Sequence, residues 1–164
     1  MAELGFFFVS GGQTGVDRAA LDVALERGRR CGGWCPSERR AEDGAIPARY
    51  PLRETPSAAY PQRTEWNVRD SDGTLVLHRG PLRGGTALTL RLARRLGRPA
   101  LAVDLTAPPR AEAVRDWIAR ERIARLNVAG PRESEHPGIH DQAAAFLREV
   151  LRALDERGPR SHPS

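Results

Sequence analysis

The fold is decided at residues 5–21, which read GFFFVSGGQTGVDRAAL. An apolar run rich in aromatic residues leads into three glycines, and an alanine- and leucine-rich helix pattern follows. A strand, a glycine turn and a helix start in this order build a phosphate-binding corner, because the glycines admit a close anion and the first helical N–H groups have no internal partner. The stretch has neither the G-x-G-x-x-G spacing of a dinucleotide-binding fold nor the G-K-[ST] of a P-loop.

The composition is that of an ordinary globular protein. The chain has 164 residues, of which 40% are hydrophobic and 29% charged, so it is long enough to bury one proper core. We predict a single domain over 1–156, with a long loop or lid at 34–62 and a flexible tail at 157–164. No apolar stretch reaches membrane-spanning length, and the acidic, glycine-bearing start does not resemble a signal peptide. We therefore expect a cytoplasmic protein.

Every basic residue of the chain other than histidine is an arginine. The formal net charge is +5 and the sequence contains no lysine, which excludes lysine Schiff-base chemistry and a P-loop lysine. Basic residues stand beside acidic ones, as in the run 39–43, so they predict a mixed solvated surface and not a nucleic-acid stripe. The two cysteines, Cys31 and Cys35, have C-x3-C spacing without further metal ligands nearby, and no structural metal is predicted.

Short apolar strands alternate with amphipathic helices along the rest of the chain. We predict strands at 74–78, 99–104 and 125–129 and helices at about 16–27, at 63–69, from Gly84 onward, around 114–118 and around 146–154. This alternation predicts an α/β fold, a Rossmann-like three-layer sandwich with a mainly parallel sheet covered on both faces.

Three of the predicted strands end in glycine turns, at Gly11-Gly12, Gly84-Gly85 and Gly130. Because the carboxyl ends of parallel strands emerge at one sheet edge, the three turns should converge there. In such sheets ligands bind outside this edge. The convergence favours a ligand site more strongly than any one of the motifs.

The first turn offers several candidate side chains, each with an ordinary alternative. Thr14 and Asp17 match a capping box in which the aspartate reaches back to the Thr14 N–H; alternatively Asp17 bonds a ligand hydroxyl or acts as a general acid or base. Ser10 is placed to donate to a phosphate. Gln13 either reads a ring edge or is an exposed turn residue.

Further candidates lie in later segments. Gly84 and Gly85 offer backbone N–H groups at a helix start, where the following Thr86 is either an anion ligand or an N-cap. Arg39 and Arg40 either clamp an anion or form a solvated pair. Trp34 and Tyr60 could stack on a heterocycle, with core packing as the alternative for Trp34, whereas His78 and His140 have no visible partner set.

The motifs of this chain resemble those of the putative molybdenum carrier family. The resemblance rests on residues 10–22 (SGGQTGVDRAALD), on 32–36, on parts of 40–54, and on further matches between 63 and 86. It covers about residues 5–154. This family is described as a circularly permuted branch of a Rossmann-like nucleotide-sensing superfamily related to YpsA and to the "lonely guy" enzymes.

The resemblance implies a Rossmann-like sandwich that forms homo-oligomers, dimers or tetramers, with its glycine turns facing a phosphorylated heterocycle. The expected function is binding of the molybdenum cofactor, a pterin bearing a phosphate, or sensing of a nucleotide derivative. The expected ligand-binding residues are Ser10, Gly11, Gly12, Gln13, Thr14, Gly15, Asp17, Arg18, Arg39, Arg40, Arg63, Asn67, Gly84, Gly85 and Thr86.

The same superfamily includes enzymes that cleave nucleoside monophosphates at the N-glycosidic bond, using a Pro-Gly-Gly-x-Gly-Thr turn and a nearby glutamate. The matching turn here reads PLRGGT at residues 81–86, so its spacing departs from that pattern, and no glutamate follows in the next helix. The alternative reading is therefore a phosphoribohydrolase-type enzyme, with Asp17 and Glu65 as the acid–base candidates.

Overall fold

A computed structural model describes residues 6–157 of the chain. Its main sheet has five parallel strands in the order β2-β1-β9-β7-β8. Their ranges are β1 (Phe7–Val9), β2 (Arg30–Gly32), β7 (Gly73–His78), β8 (Ala100–Asp104) and β9 (Arg125–Ala129).

Five helices cover the sheet, as the alternating pattern predicts. They are α1 (Val16–Glu26), α2 (Tyr60–Arg69), α3 (Gly84–Arg95), α4 (Ala111–Arg120) and α5 (Ile139–Arg157). The predicted α/β three-layer fold is confirmed. Helices α1, α4 and α5 pack together on one face, and α2 packs with α3 on the other.

The sheet separates two apolar clusters because alternate side chains of a strand point to opposite faces. Leu75 and Leu77 of β7 join the large core beneath α1, α4 and α5, together with Phe8, Leu126 and Val128. On the other face, Val68 of α2 packs with Leu92 and Ala93 of α3. The strand and helix bounds agree with the predicted ones to within a few residues, but the edge strand β2 was not predicted.

The predicted long loop is a folded segment. Residues 34–62 contain the short strands β3 (Trp34–Cys35), β4 (Arg40–Ala41), β5 (Gly44–Ala45) and β6 (Arg53–Glu54), paired as β3-β6 and β4-β5, and run into the first turn of α2. The segment has a small apolar core of its own, which packs on Leu21 of α1. Its larger aliphatic residues, Ile46 and Leu52, lie in this core, which explains why the sequence shows no regular apolar pattern here.

Helix α5 is described as far as Arg157, and the rest of the tail predicted at 157–164 lies outside the described residues. None of the helices between residues 6 and 157 is long and apolar enough to cross a membrane.

Candidate functional site

A cavity of about 450 Å³ opens at the carboxyl ends of β1, β9 and β7. All three predicted glycine turns contribute to its wall, through Gly11, Gly84, Gly85 and Gly130. The cavity lies between the start of α1 on one face of the sheet and the start of α3 on the other. This is where the chain's crossover connections diverge, the position at which open α/β sheets bind ligands.

The turn after β1 is held by its own side chains. The buried Ser10 hydroxyl donates to the Asp17 carbonyl oxygen at 2.8 Å, and the Gly12 N–H donates to Ser10 Oγ at 3.2 Å. The predicted capping box is wrong: Gly15 precedes the helix without a side-chain cap, and the Asp17 carboxylate accepts the N–H of Gln13 at 3.3 Å. Asp17 is thereby turned away from Thr14 and onto the cavity wall.

Asp17 is the buried ionisable group of the cavity. The residue is 6% exposed, and the nearest cation is Arg63, whose Nη1 lies 3.4 Å from Asp17 Oδ2. Burial raises the pKa of Asp17 to about 6, although Arg63, the Gln13 N–H and Arg18 lower it. A carboxyl group with a pKa near neutrality can accept a ligand hydrogen bond or exchange a proton.

Gln13 is buried beside Asp17 and also lines the cavity. Its side-chain oxygen accepts the N–H groups of Thr14, at 3.1 Å, and of Glu42, at 2.9 Å. Its amide nitrogen has no hydrogen-bond partner, and no other buried side-chain nitrogen or oxygen within residues 6–157 shares this condition. An unpaired buried donor costs free energy, so it is typical of a site that a ligand completes.

The start of α3 forms the opposite side of the cavity. Arg83 precedes the helix, and the first helical bonds run from the Thr86 and Ala87 N–H groups to its carbonyl oxygen, so Thr86 is not the N-cap. A side chain added at Gly84 or Gly85 would meet no described atom within 4 Å. The backbone at the positive end of this helix is thus open to a ligand.

Tyr60 provides an aromatic ring on the cavity wall, and three arginines surround it. The guanidinium carbons of Arg63 and Arg132 lie 5.3 and 5.4 Å from the centre of its ring, and that of Arg40 lies 4.8 Å away. Arg63, Arg132 and Arg91 line the cavity, with Glu135 as a nearby acid. The wall is therefore rich in cations and suits an anionic ligand.

Residues 8–151 match the circularly permutated YpsA SLOG family. The chain belongs to that family. It is also similar to a crystal structure at 1.45 Å resolution from Syntrophus aciditrophicus SB described as "Putative molybdenum carrier protein". The two chains are 42% identical with a TM-score of 0.84, over 88% of this chain and 94% of the other. No curated protein matches. Family and neighbour together support a ligand-binding role.

In this YpsA-family chain, eight of the predicted ligand-binding residues line the cavity, namely Gly11, Gln13, Asp17, Arg63, Asn67, Gly84, Gly85 and Thr86. Both ends of the Asn67 amide are bonded to the Trp34 backbone. Arg63 and Asn67 lie one helical turn apart on α2, and both residues line the cavity.

The other predicted residues lie off the cavity wall. Arg18 forms a two-pronged ion pair with Asp43, and Arg39 donates to four carbonyl oxygens of the 34–62 segment. Arg40 donates to the Ala58 carbonyl oxygen. Their roles toward a ligand stay predictions. Off the wall too are Ser10, Gly12, Thr14, Gly15 and the acid–base candidate Glu65.

Two glycines of the first turn are required by the packing of the protein itself. Gly15 has a φ of +83°, and a Cβ there would lie 2.4 Å from the Pro131 carbonyl oxygen. Gly12 has a φ of +80°, and a Cβ there would lie 2.6 Å from Leu52 Cδ1. The packing of this chain therefore accounts for Gly12 and Gly15 without a ligand.

Sequence reasoning missed the contribution of the β9 end and of the body of α3. Asn127, Arg132 and Glu135 line the cavity from β9 and the turn after it, and Thr89 and Arg91 line it from α3. The glycine turn at Gly130 is the sequence signal for this side of the cavity, because polar residues flank it on both sides. Within residues 6–157, no cluster of three or more metal-ligating side chains is found.

Proposed function

We propose that this protein binds a phosphorylated heterocycle, with the molybdenum cofactor as the first candidate cargo and a nucleotide derivative as the alternative ligand. The observation that carries the proposal is the pairing, in one cavity, of an open helix start at Gly84-Gly85 with the unpaired amide of Gln13. The first suits a phosphate, and the second suits the polar edge of a ring.

The phosphate end is supported by charge and by space. Free N–H groups and the positive end of α3 face a cavity that Arg63, Arg91 and Arg132 also line. Glycine at 84 and 85 keeps this end clear of side chains. An oxyanion seated here would receive backbone hydrogen bonds and nearby positive charge at once.

The heterocycle is supported by the size and lining of the cavity. About 450 Å³ is within the range of small-molecule sites. Tyr60 offers an aromatic wall, and Gln13 and Asp17 offer polar groups beside it. The pterin of the molybdenum cofactor has the required chemistry of a ring edge and a phosphate, and the similar protein from Syntrophus aciditrophicus SB carries a molybdenum name.

The cargo is tested by isolation. We expect the protein, purified gently from its native host, to carry a bound phosphorylated ring compound detectable by mass spectrometry. Molybdenum together with a pterin would support the carrier reading, and a nucleotide without metal would support the sensor reading. Recovery of protein that carries neither, and that fails to bind either when they are added, would contradict the proposal.

The phosphate site is tested by a matched pair at Gly85. Gly85→Ala adds a methyl group into open space and should leave binding of inorganic phosphate within about twofold, whereas Gly85→Asp adds a negative charge to the cradle and should abolish binding. Because an aspartate near a helix start favours the fold, a loss of binding would not reflect unfolding. Calorimetry in which both variants bind phosphate alike would contradict the site.

A second candidate function is supported by Asp17. Its raised pKa and position on the cavity wall suit an acid or base for cleavage of an N-glycosidic bond, and Glu65 is away from the cavity. Release of free base from nucleoside monophosphates that is lost in Asp17→Asn would favour this enzyme. Absence of turnover over a panel of nucleotides would favour the binding protein.

We also propose a homo-oligomer that does not use nucleic acid as a partner. Exposed apolar side chains at Leu82 and Leu96 bracket helix α3, next to the edge strand β8, which supports contact between copies. Light scattering coupled to size-exclusion chromatography should give a mass above the 18.0 kDa of one chain. A monomer at micromolar concentration would contradict this part of the proposal.

A further inference from the structure

We infer that Gln13 and Asp17 together read the ring of the ligand, at an edge that presents a hydrogen-bond acceptor next to an N–H donor. This inference rests on the proposed function and adds to it the side chains that select the ligand. Such an edge occurs in pterins and in purines, and it is absent from a sugar phosphate without a base.

The orientation of the Gln13 amide is determined by its surroundings. Two backbone donors, the N–H groups of Thr14 and Glu42, point at one end of the amide, so that end must be the oxygen. The opposite end is therefore the NH₂ group, which can only donate. Gln13 lines the cavity, whereas Thr14 and Glu42 do not, and its NH₂ group is buried without a partner, so a ligand that reaches this group would supply the missing acceptor.

Asp17 supplies the acceptor beside this donor. Its Oδ2 receives both the Gln13 N–H and the Arg63 guanidinium, and its Oδ1 has no hydrogen bond to any residue that the structure describes. The same Gln13 residue thus holds the carboxylate through its backbone and presents a donor through its side chain. A ring acceptor would meet Gln13 Nε2, and the neighbouring N–H would meet Asp17 Oδ1.

A sugar hydroxyl could also bond both Gln13 and Asp17. The distance between these residues and the start of α3 favours a ring edge over a sugar hydroxyl. The turn with Gln13 follows β1 and helix α3 follows β7, with β9 between them. Two strand spacings amount to about 9.5 Å. If the phosphate of a ligand binds at α3, the sugar lies between the two ends of the cavity. The ring attached to the sugar is then the part of the ligand that reaches Gln13.

The test compares ligands with and without a ring. Dissociation constants would be measured by calorimetry for neopterin monophosphate, GMP, AMP, ribose 5-phosphate and inorganic phosphate. Wild type should bind at least one of the three ring compounds about tenfold or more tightly than ribose 5-phosphate. Which of them is preferred distinguishes a pterin from a purine source of the same edge.

Two variants change the donor. Gln13→Met removes it while keeping the volume and adding no charge. Gln13→Glu keeps an oxygen for the Thr14 and Glu42 N–H groups and has no donor when its carboxyl group is ionised, so it is measured at alkaline pH. In both, the affinity for the ring compound relative to ribose 5-phosphate should fall about tenfold, and this ratio cancels any general effect on phosphate. Thermal unfolding checks the fold, and Gln13→Glu alone suffices if Gln13→Met does not fold.

The inference is overturned if the ratio stays unchanged in the folded variants, since the amide would then be satisfied by a buried water with no part in selection. It is also overturned if ribose 5-phosphate loses affinity relative to inorganic phosphate, which would assign Gln13 to a sugar hydroxyl. In either case phosphate binding still stands. If wild type binds none of the probes, the proposed function fails together with the inference.

Discussion

Arg63 Nη1 lies 3.4 Å from Asp17 Oδ2, and the two side chains are only 11% and 8% exposed. The same Arg63 nitrogen donates to the Gly11 carbonyl oxygen at 2.9 Å, so the ion pair ties α2 to the turn after β1. Even with this partner, burial keeps the pKa of Asp17 raised. The site thus contains a carboxylate whose ionisation opposes folding, a cost typical of functional residues.

Replacing this carboxylate should stabilise the protein. The acid ionises near pH 3.8 when unfolded and near pH 6 when folded, so the folded state holds the proton longer and stability falls as the pH rises through this window. Asp17→Asn should therefore raise the free energy of unfolding at pH 7.5 by up to about 3 kcal/mol, with little gain at pH 3. Urea denaturation at the two pH values measures the difference. The exposed Glu149→Gln serves as the control, and a gain equal at both pH values would contradict the prediction.

His140 should make stability depend on pH above neutrality. Its Nε2 lies 2.7 Å from Asp22 Oδ2 and its Nδ1 lies 2.9 Å from Asp141 Oδ1. Burial lowers the pKa of His140, but the hydrogen bonds to Asp141 and Asp22 outweigh it and the pKa is raised. A raised folded pKa stabilises the protein below the unfolded value of 6.5, and this gain is lost as the pH rises through the folded pKa.

The measurement for His140 is the thermal midpoint between pH 6.5 and pH 9 in wild type and in His140→Gln, so that the end of the Asp17 titration is common to both proteins. Wild type should lose stability across this range, and His140→Gln should flatten the dependence. His136→Gln is the matched control, because His136 lies in the same part of the chain, just before α5, and only the His140 ring pairs with Asp22 and Asp141 among the bonds described. A profile that His140→Gln leaves unchanged would contradict the prediction.

Glu42 should hold the 34–62 segment against the turns after β1 and β9, through Thr14 and Ser134. Its carboxylate accepts the Ser134 hydroxyl at 2.5 Å and the Ser134 N–H at 3.2 Å, and it also accepts the Thr14 hydroxyl. Glu42→Ala should cost about 1–3 kcal/mol of stability and speed amide exchange in residues 34–59. The neighbouring Asp43→Ala breaks an ion pair with Arg18 in which the Asp43 side chain is 48% exposed, and it should cost less than about 1 kcal/mol. Equal costs for the two variants would show that Glu42 has no special role.

Three glycine substitutions should separate backbone strain from packing. Gly85→Ala occupies open space in a helix and should be neutral or slightly stabilising. Gly28→Ala also meets no atom but has a φ of +66°, so it should cost about 1 kcal/mol. Gly15→Ala combines a φ of +83° with a backbone oxygen at 2.4 Å and should cost several kcal/mol. Denaturant midpoints rank the three, and a Gly15 cost no larger than that of Gly28 would contradict the packing argument.

The sequence predicts the architecture well because periodicity depends on burial. The alternation of Leu88, Leu92 and the neighbouring residues of α3 identifies a helix, and the apolar runs of β7 and β9 identify buried strands. The strand β2 escapes prediction because its three residues, Arg30 to Gly32, carry no such pattern. The 34–62 segment escapes for the same reason, since its small core draws single residues from distant positions.

The sequence by itself determined the α/β class, the family and the meeting of the glycine turns at one edge of the sheet, because these follow from local patterns and from the geometry of parallel strands. Only the tertiary structure decided what each side chain of the Ser10–Asp17 turn does. Ser10, Gly12 and Gly15 make internal contacts, whereas Gln13 and Asp17 line the cavity, where we propose that they meet a ligand. The physical reason is that the contacts of this turn come from residues far away in the chain, namely Glu42, Arg63 and Pro131. No local sequence pattern encodes their approach.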